Sequence, residues 1–188
     1  MKAIVSTALA LCASLTLTLA AEKPSKADKA DKGDKKAEAS GASSSSKIAD
    51  LKVGTLITGP EVTTDDLKGK AVVLEFWGVN CGPCLASLPD MEKLSRRNKG
   101  DLVMIGCHCQ NATDDEVKAV VKKNRLSYSI VKDSSRPSSF SGIPHAYVFN
   151  AEGRILFDGN PHDKDFDKAV RDAVKSAKEA AKATASVK

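Results

Sequence analysis

Ala71-Val72-Val73-Leu74-Glu75-Phe76-Trp77-Gly78-Val79-Asn80-Cys81-Gly82-Pro83-Cys84-Leu85-Ala86-Ser87-Leu88-Pro89 is the stretch that decides the fold. Up to Trp77 it is nearly all apolar and rich in β-favouring residues, as in a central strand covered on both faces. Gly78-Val79-Asn80 supplies a loop. From about Gly82 to Arg97 the apolar residues Leu85, Leu88, Met91 and Leu94 recur at helical spacing. Pro89 falls inside that helix and is expected to kink it.

Working outward, Leu102-Val103-Met104-Ile105-Gly106 reads as a second buried strand. Thr113 and Glu116 stand as a capping box opening a helix that turns Val117, Val120 and Val121 inward. Ser129-Ile130-Val131 is a short strand. Ala146-Tyr147-Val148-Phe149 and Arg154-Ile155-Leu156-Phe157 form an antiparallel hairpin around Asn150-Ala151-Glu152-Gly153. A final helix is expected from about Lys164, burying Phe166, Val170 and Val174, with fraying beyond Ala180. On the N-terminal side, Thr55-Leu56-Ile57-Thr58 is a strand candidate before the Gly59-Pro60 turn. The order implies an α/β domain with a mixed central sheet flanked by helices.

The ends differ in composition. Residues 1–21 carry one charge, Lys2, and then a Leu/Ala-rich run, the layout of a secretory signal peptide. The rival is a retained membrane anchor, since a span needs roughly 20 apolar residues. Lipidation at Cys12 is disfavoured by Leu11, where a small residue is wanted. Residues 22–47 are Lys/Ala/Asp/Ser-rich and too poor in large apolar side chains to fold, so they read as a linker. The domain is expected over 48–178, with a frayed tail over 179–188. Both N-terminal readings put it outside the cytoplasm, in a periplasm or an equivalent space. The net charge of +5 resides mainly in linker and tail, and aromatics make up only 4%, which argues against nucleic-acid binding.

Beyond Cys12 four cysteines remain, as two tight pairs: Cys81/Cys84 and Cys107/Cys109. A structural disulfide gains most by closing a long loop, so tight pairs point to chemistry. At a helix start, cysteines three apart face the same way at about 5–6 Å between β-carbons, near disulfide range. Pro83 suits the first helical turn, and helix amides stabilise a thiolate on Cys81. Two other readings of Cys81-Gly82-Pro83-Cys84 stay open, a structural bridge and half of a zinc site.

Phe76-Trp77-Gly78-Val79-Asn80-Cys81-Gly82-Pro83-Cys84, with Pro89 behind it and Gly142-Ile143-Pro144 downstream, resembles the thioredoxin superfamily. The export signal, the spacer and Leu67-Lys68-Gly69-Lys70 resemble its TlpA/ResA-like extracytoplasmic branch. The resemblance implies a thioredoxin-like fold and a protein-disulfide oxidoreductase without a cofactor or metal. Its partners would be extracytoplasmic protein disulfides and thiols, with electrons from a membrane donor and a monomeric state. Gly82-Pro83 between the cysteines is more like reducing members than strong oxidants. By resemblance, Cys81 attacks and Cys84 resolves. Pro144 is a cis-proline facing the disulfide, the Ile143 backbone pairs with extended substrate, and Trp77 packs beside the loop. Gly82 and Pro83 would also border the substrate.

Glu75 is the one ionisable group in the apolar strand, six residues before Cys81. Burial would raise its pKa and suit it as proton acceptor for the resolving cysteine. A strand-end carboxylate turned to solvent is the bland reading. Many TlpA-like proteins carry a Glu three residues after the second cysteine, where this chain has Ser87. Asn80 replaces a Trp common before the first cysteine, and His145 follows Pro144, where a small or hydroxylic residue is usual. His145 is read either as a proton-transfer group near the thiols or as an exposed hairpin residue. Cys107-His108-Cys109 is a second redox pair, a soft-metal site for Cu(I) or Zn, or unused thiols; strand alternation separates His108 from the thiols. A copper-handling module is therefore the alternative function. Peroxiredoxin chemistry is disfavoured, since Gly78 stands where a Thr is required.

Overall fold

The computed structural model describes residues 48–186, so the leader and linker expected over 1–47 lie outside the described residues. Strand β1 is Thr55–Thr58 and β2 is Ala71–Trp77, followed by helix α1 (Gly82–Arg97). Then come β3 (Leu102–His108), α2 (Asp114–Asn124), β4 (Ser129–Lys132), β5 (His145–Phe149), β6 (Ile155–Gly159) and α3 (Phe166–Ala185). The six strands form one mixed sheet in the order β1-β4-β3-β2-β5-β6. β2 is buried along its whole length because β3 pairs with it in parallel and β5 antiparallel. Its run of apolar residues, interrupted only by Glu75, is the sequence of such a doubly covered strand.

From β2 through α1 to β3, and through α2 to β4, the chain steps twice in one direction across the sheet. Right-handed crossovers then place both helices on the same face. The packing agrees: Leu88 and Met91 of α1, Val117 and Val121 of α2, and Val170 and Val174 of α3 share one cluster with Val73, Met104, Ile130 and Val148. The other face carries Val72, Leu74, Phe76, Ile105, Tyr147 and Phe149, covered by Leu51, Leu67 and Phe140 from outside the three α-helices. Leu88 is wholly buried, and truncating such a leucine to alanine costs about 2–5 kcal/mol.

Several boundaries differ from expectation. β3 continues to His108 because both neighbours extend with it: Phe76 and Val131 flank Cys107, and Trp77 and Lys132 flank His108. Helix α1 runs unbroken from Gly82 to Arg97 with Pro89 inside it. The Thr113/Glu116 capping box forms as expected at the start of α2. Helix α3 begins at Phe166 rather than Lys164 and passes the expected fraying point, reaching Ala185. Beyond Ala180 its residues are exposed, and the strong intrinsic helix preference of Ala and Lys accounts for the continuation.

Candidate active site

Strand β2 delivers its C-terminal end to the site, and α1 starts there. Cys81 is the N-cap of α1, with Pro83 in the first turn, and its Sγ accepts from the Cys84 backbone N–H at 3.2 Å. Cys81 and Cys84 are joined in a disulfide with Cα atoms 5.2 Å apart. Cys84 is fully buried and Cys81 is 8% exposed, while Gly82 and Pro83 between them are exposed. The Cys81 side of the bond is thus the accessible one. Opposite it, Ile143–Pro144 is a cis peptide bond, and the Ile143 carbonyl oxygen lies 3.6 Å from Cys81 Sγ. Beside this loop an open cleft of about 690 Å³ is lined by residues from Ser139 to His145 and by Asn160.

Glu75 is entirely buried on the helix-covered side of the sheet, contrary to a solvent-facing strand-end carboxylate. Burial pushes its pKa up to about 7, against a smaller downward pull from the Ser87 hydroxyl. Ser87 sits one turn after Cys84 on α1. Its Oγ lies 3.2 Å from Glu75 Oε1 and 2.8 Å from the Cys84 carbonyl oxygen. The residue occupying the place of a helix carboxylate therefore bridges the strand carboxylate to the second cysteine's peptide.

Trp77 has no exposed surface and belongs to the same core cluster as Cys81 and Cys84. Its ring meets His108 edge-on at 5.4 Å. His108 Nε2 in turn accepts from the Val79 N–H at 3.3 Å, so this histidine buttresses the active-site loop. Burial lowers its pKa despite Asp114 nearby, keeping the ring neutral and able to accept.

The second cysteine pair is set differently. Burial pushes the Cys107 thiol up to about 11, and burial also raises Cys109 against the pull of Arg136. Cys109 Sγ lies 3.5 Å from the Trp77 carbonyl oxygen, and its N–H donates to that oxygen at 3.0 Å. Both thiols are free. Among the described residues no group of three or more His, Cys, Asp or Glu is arranged to hold a metal ion.

His145 is half-buried, not exposed. It pairs with Phe76 in the register, on the face opposite Glu75, stacks on Phe140 at 4.4 Å and meets Asp158 Oδ1 at 2.8 Å. Two contacts escaped the sequence reading. Gln110 Oε1 accepts from the Asn80 N–H at 2.9 Å, and its side chain fills the space a Cβ on Gly78 would need. His162 Nε2 lies 3.3 Å from the Pro83 carbonyl oxygen. These partners sit 30 and 79 residues away in the chain, in loops whose positions only the tertiary fold determines.

Comparison with known proteins agrees with this geometry. The family described as Redoxin matches residues 44–175. The chain is 31% identical over 134 residues to Protein SUPPRESSOR OF QUENCHING 1, chloroplastic, of Arabidopsis thaliana, covering 65% of this chain and 13% of that protein. It is 30% identical over 108 residues to Thiol-disulfide oxidoreductase ResA of Bacillus cereus, covering 55% of this chain and 62% of that one. The chain thus spans less than two thirds of either relative. A solution structure of a putative thioredoxin from Neisseria meningitidis superimposes with a TM-score of 0.59 at 20% identity, over 69% of this chain and 91% of the other, and so shares the fold. With the matched family spanning most of the chain, the protein belongs to the Redoxin family.

Proposed function

We propose that the chain is an exported thiol–disulfide oxidoreductase, working as a reductase of extracytoplasmic protein disulfides through Cys81 and Cys84. One observation carries the reading: a disulfide at a helix N-terminus has its outer sulfur facing the Ile143 carbonyl, and its inner cysteine is linked through Ser87 to the buried Glu75. The similarity to ResA supports it. The Lys2-led apolar leader supports export, and among the described residues no helix is long and apolar enough to cross a membrane.

In the reduced enzyme the α1 amides favour a thiolate on Cys81. That thiolate attacks a substrate disulfide, forming a mixed disulfide and releasing one substrate thiolate. Extended substrate pairs with the Ile143 backbone beside Pro144 and passes over Gly82 and Pro83, with Trp77 holding the loop from beneath. Glu75 takes the Cys84 proton, aided by a pKa near the working pH. Cys84 then attacks Cys81 Sγ, the second substrate sulfur leaves as a thiol, and the Cys81–Cys84 disulfide forms. Two electrons have passed to the substrate. A membrane dithiol donor must return them, because an extracytoplasmic space does not keep thiols reduced.

The test is insulin reduction by the full chain with dithiothreitol as donor, together with the equilibrium potential of the Cys81–Cys84 couple against glutathione. Turnover and a potential in the thioredoxin range are expected; a couple as oxidising as strong disulfide donors would reverse the proposed direction.

A further inference from the structure

Three buried side-chain polar atoms stand without a hydrogen-bond partner among the described residues: Glu75 Oε2, Trp77 Nε1 and Tyr128 Oη. They gather at one place. Glu75 lies directly beside Gly106 in the β2–β3 register. A Cβ on Gly106 would come within 2.9 Å of the Ile130 Cδ1 methyl, and within 3.1 Å of both Trp77 Nε1 and Tyr128 Cε2, the ring atom next to the carbon bearing the hydroxyl. Glu75 and Trp77 have no exposed surface, and Tyr128 is 3% exposed. Burial, then the charges of Glu75 and Glu92, push the Tyr128 phenol well above its usual range, so the phenol lies within electrostatic reach of Glu75.

An acceptor, an obligate donor and a hydroxyl that can do either are a matched set for one water molecule. Buried polar groups left unpaired in a low-dielectric interior are costly, and a buried water satisfies two to four of them at once. We propose that Gly106 floors a binding site for one buried water, held by Glu75 Oε2, Trp77 Nε1 and Tyr128 Oη. Trp77 N–H and Tyr128 O–H donate to the water, and the water donates to Glu75. Ser87 already lies against Oε1, so the water gives the second carboxylate oxygen its partner and fixes the carboxyl plane. Tyr128 is then a positioning residue acting through the water on Glu75.

The groups around Glu75 are few. Ser87 faces it from α1, Gly106 and Ala146 flank it in the sheet, and Tyr128 stands beyond Gly106. Glu92, whose charge also acts on the Tyr128 phenol, is held by Arg96 and by Ser127. A water donating to the carboxylate favours its ionised form, so losing the water raises its proton affinity.

The catalytic meaning of the site rests on the proton-acceptor reading of Glu75, but its test does not. The full chain would be studied as wild type, Tyr128→Phe and Gly106→Ala, with solvent located by high-resolution crystallography. The Glu75 carboxyl would be titrated by 13C NMR in the oxidised protein. An ordered water touching all three atoms in the wild type is expected, displaced in Gly106→Ala. Tyr128→Phe should raise the Glu75 proton affinity by roughly tenfold. A dry contact among the three groups, or a Tyr128→Phe titration matching the wild type, overturns the proposal. Should Gly106→Ala fail to fold, the wild-type map and Tyr128→Phe decide alone. If the water and the titration change are found but Glu75→Gln exchanges disulfides at the normal rate, the proposed function of Glu75 fails while the water site stands.

Discussion

β2 and β3 run side by side in parallel, and each brings two cysteines to the same edge of the sheet. After β2 the chain turns into α1, so Cys81 caps a helix and Cys84 lies one turn inside, close enough to bond. At β3, Cys107 lies within the strand and Cys109 just past its end. Cys107 is flanked by Phe76 and Val131 and covered on the helix-free face, and its thiol is pushed up to about 11. Residue type is the same in both places. What separates Cys81 from Cys107 is a helix N-terminus in one case and desolvation in the other.

The largest expected difference tests that contrast directly. Cys81→Ser should reduce insulin-reduction activity by on the order of a thousandfold or more, as removal of a covalent nucleophile does. Replacing Cys107 and Cys109 together by Ala should leave it unchanged. Loss of activity in the double Ala variant with its melting transition intact would show that the strand-end thiols take part in exchange.

Glu75→Gln comes next. Loss of the proton acceptor should slow resolution of the mixed disulfide by roughly a hundredfold. The same variant has a signature in stability. The folded pKa of Glu75 is raised from 4.5 to about 7, so folding favours its protonated form. That stabilisation is fully present below pH 4.5 and is lost as pH rises toward about 7, a change of about 3 kcal/mol. Urea unfolding between pH 4 and pH 8 should show this fall in the wild type and its disappearance in Glu75→Gln. A persisting fall of the same size would assign it to another group.

Much of this was legible in the sequence for a local reason. The apolar run ending at Trp77, the spacing of Cys81 and Cys84, and Pro83 in the first turn are short-range patterns. The isolation of Glu75 among apolar residues pointed to its burial. His108 was placed opposite the thiols by strand alternation alone, yet its support of Val79 and contact with Trp77 needed the β2–β3 register. Ser87 could be noticed as a missing carboxylate, but its bridge to Glu75 depends on how α1 lies on the sheet. His145 is half-buried where one reading had it exposed, because its partner, Asp158, comes from β6 and its stacking partner, Phe140, from an irregular segment.

Reactivity offers a finer comparison. In reduced protein Cys81 should alkylate at lower pH than Cys109, and Cys107 should react only on unfolding, read for each cysteine by mass spectrometry. Alkylation of Cys107 in the native protein at neutral pH would contradict its burial. The smallest effect is expected at the loop. Gly78→Ala would push Gln110 off the Asn80 N–H and cost about 1 kcal/mol in urea unfolding, the worth of one hydrogen bond. A neutral substitution would show that Gln110 does not hold the loop.

The central claim is that exchange with other proteins passes through Cys81 while Cys84 resolves, and trapping tests it most directly. Cys84→Ser, made in the chain that also lacks Cys107 and Cys109, would be expressed with its leader, and extracytoplasmic extract would be run on a non-reducing gel. The account predicts mixed-disulfide bands with partner proteins that collapse on adding a reductant and are absent from the corresponding Cys81→Ser variant. No bands from Cys84→Ser, or equal bands when Cys81 is also replaced, would contradict it.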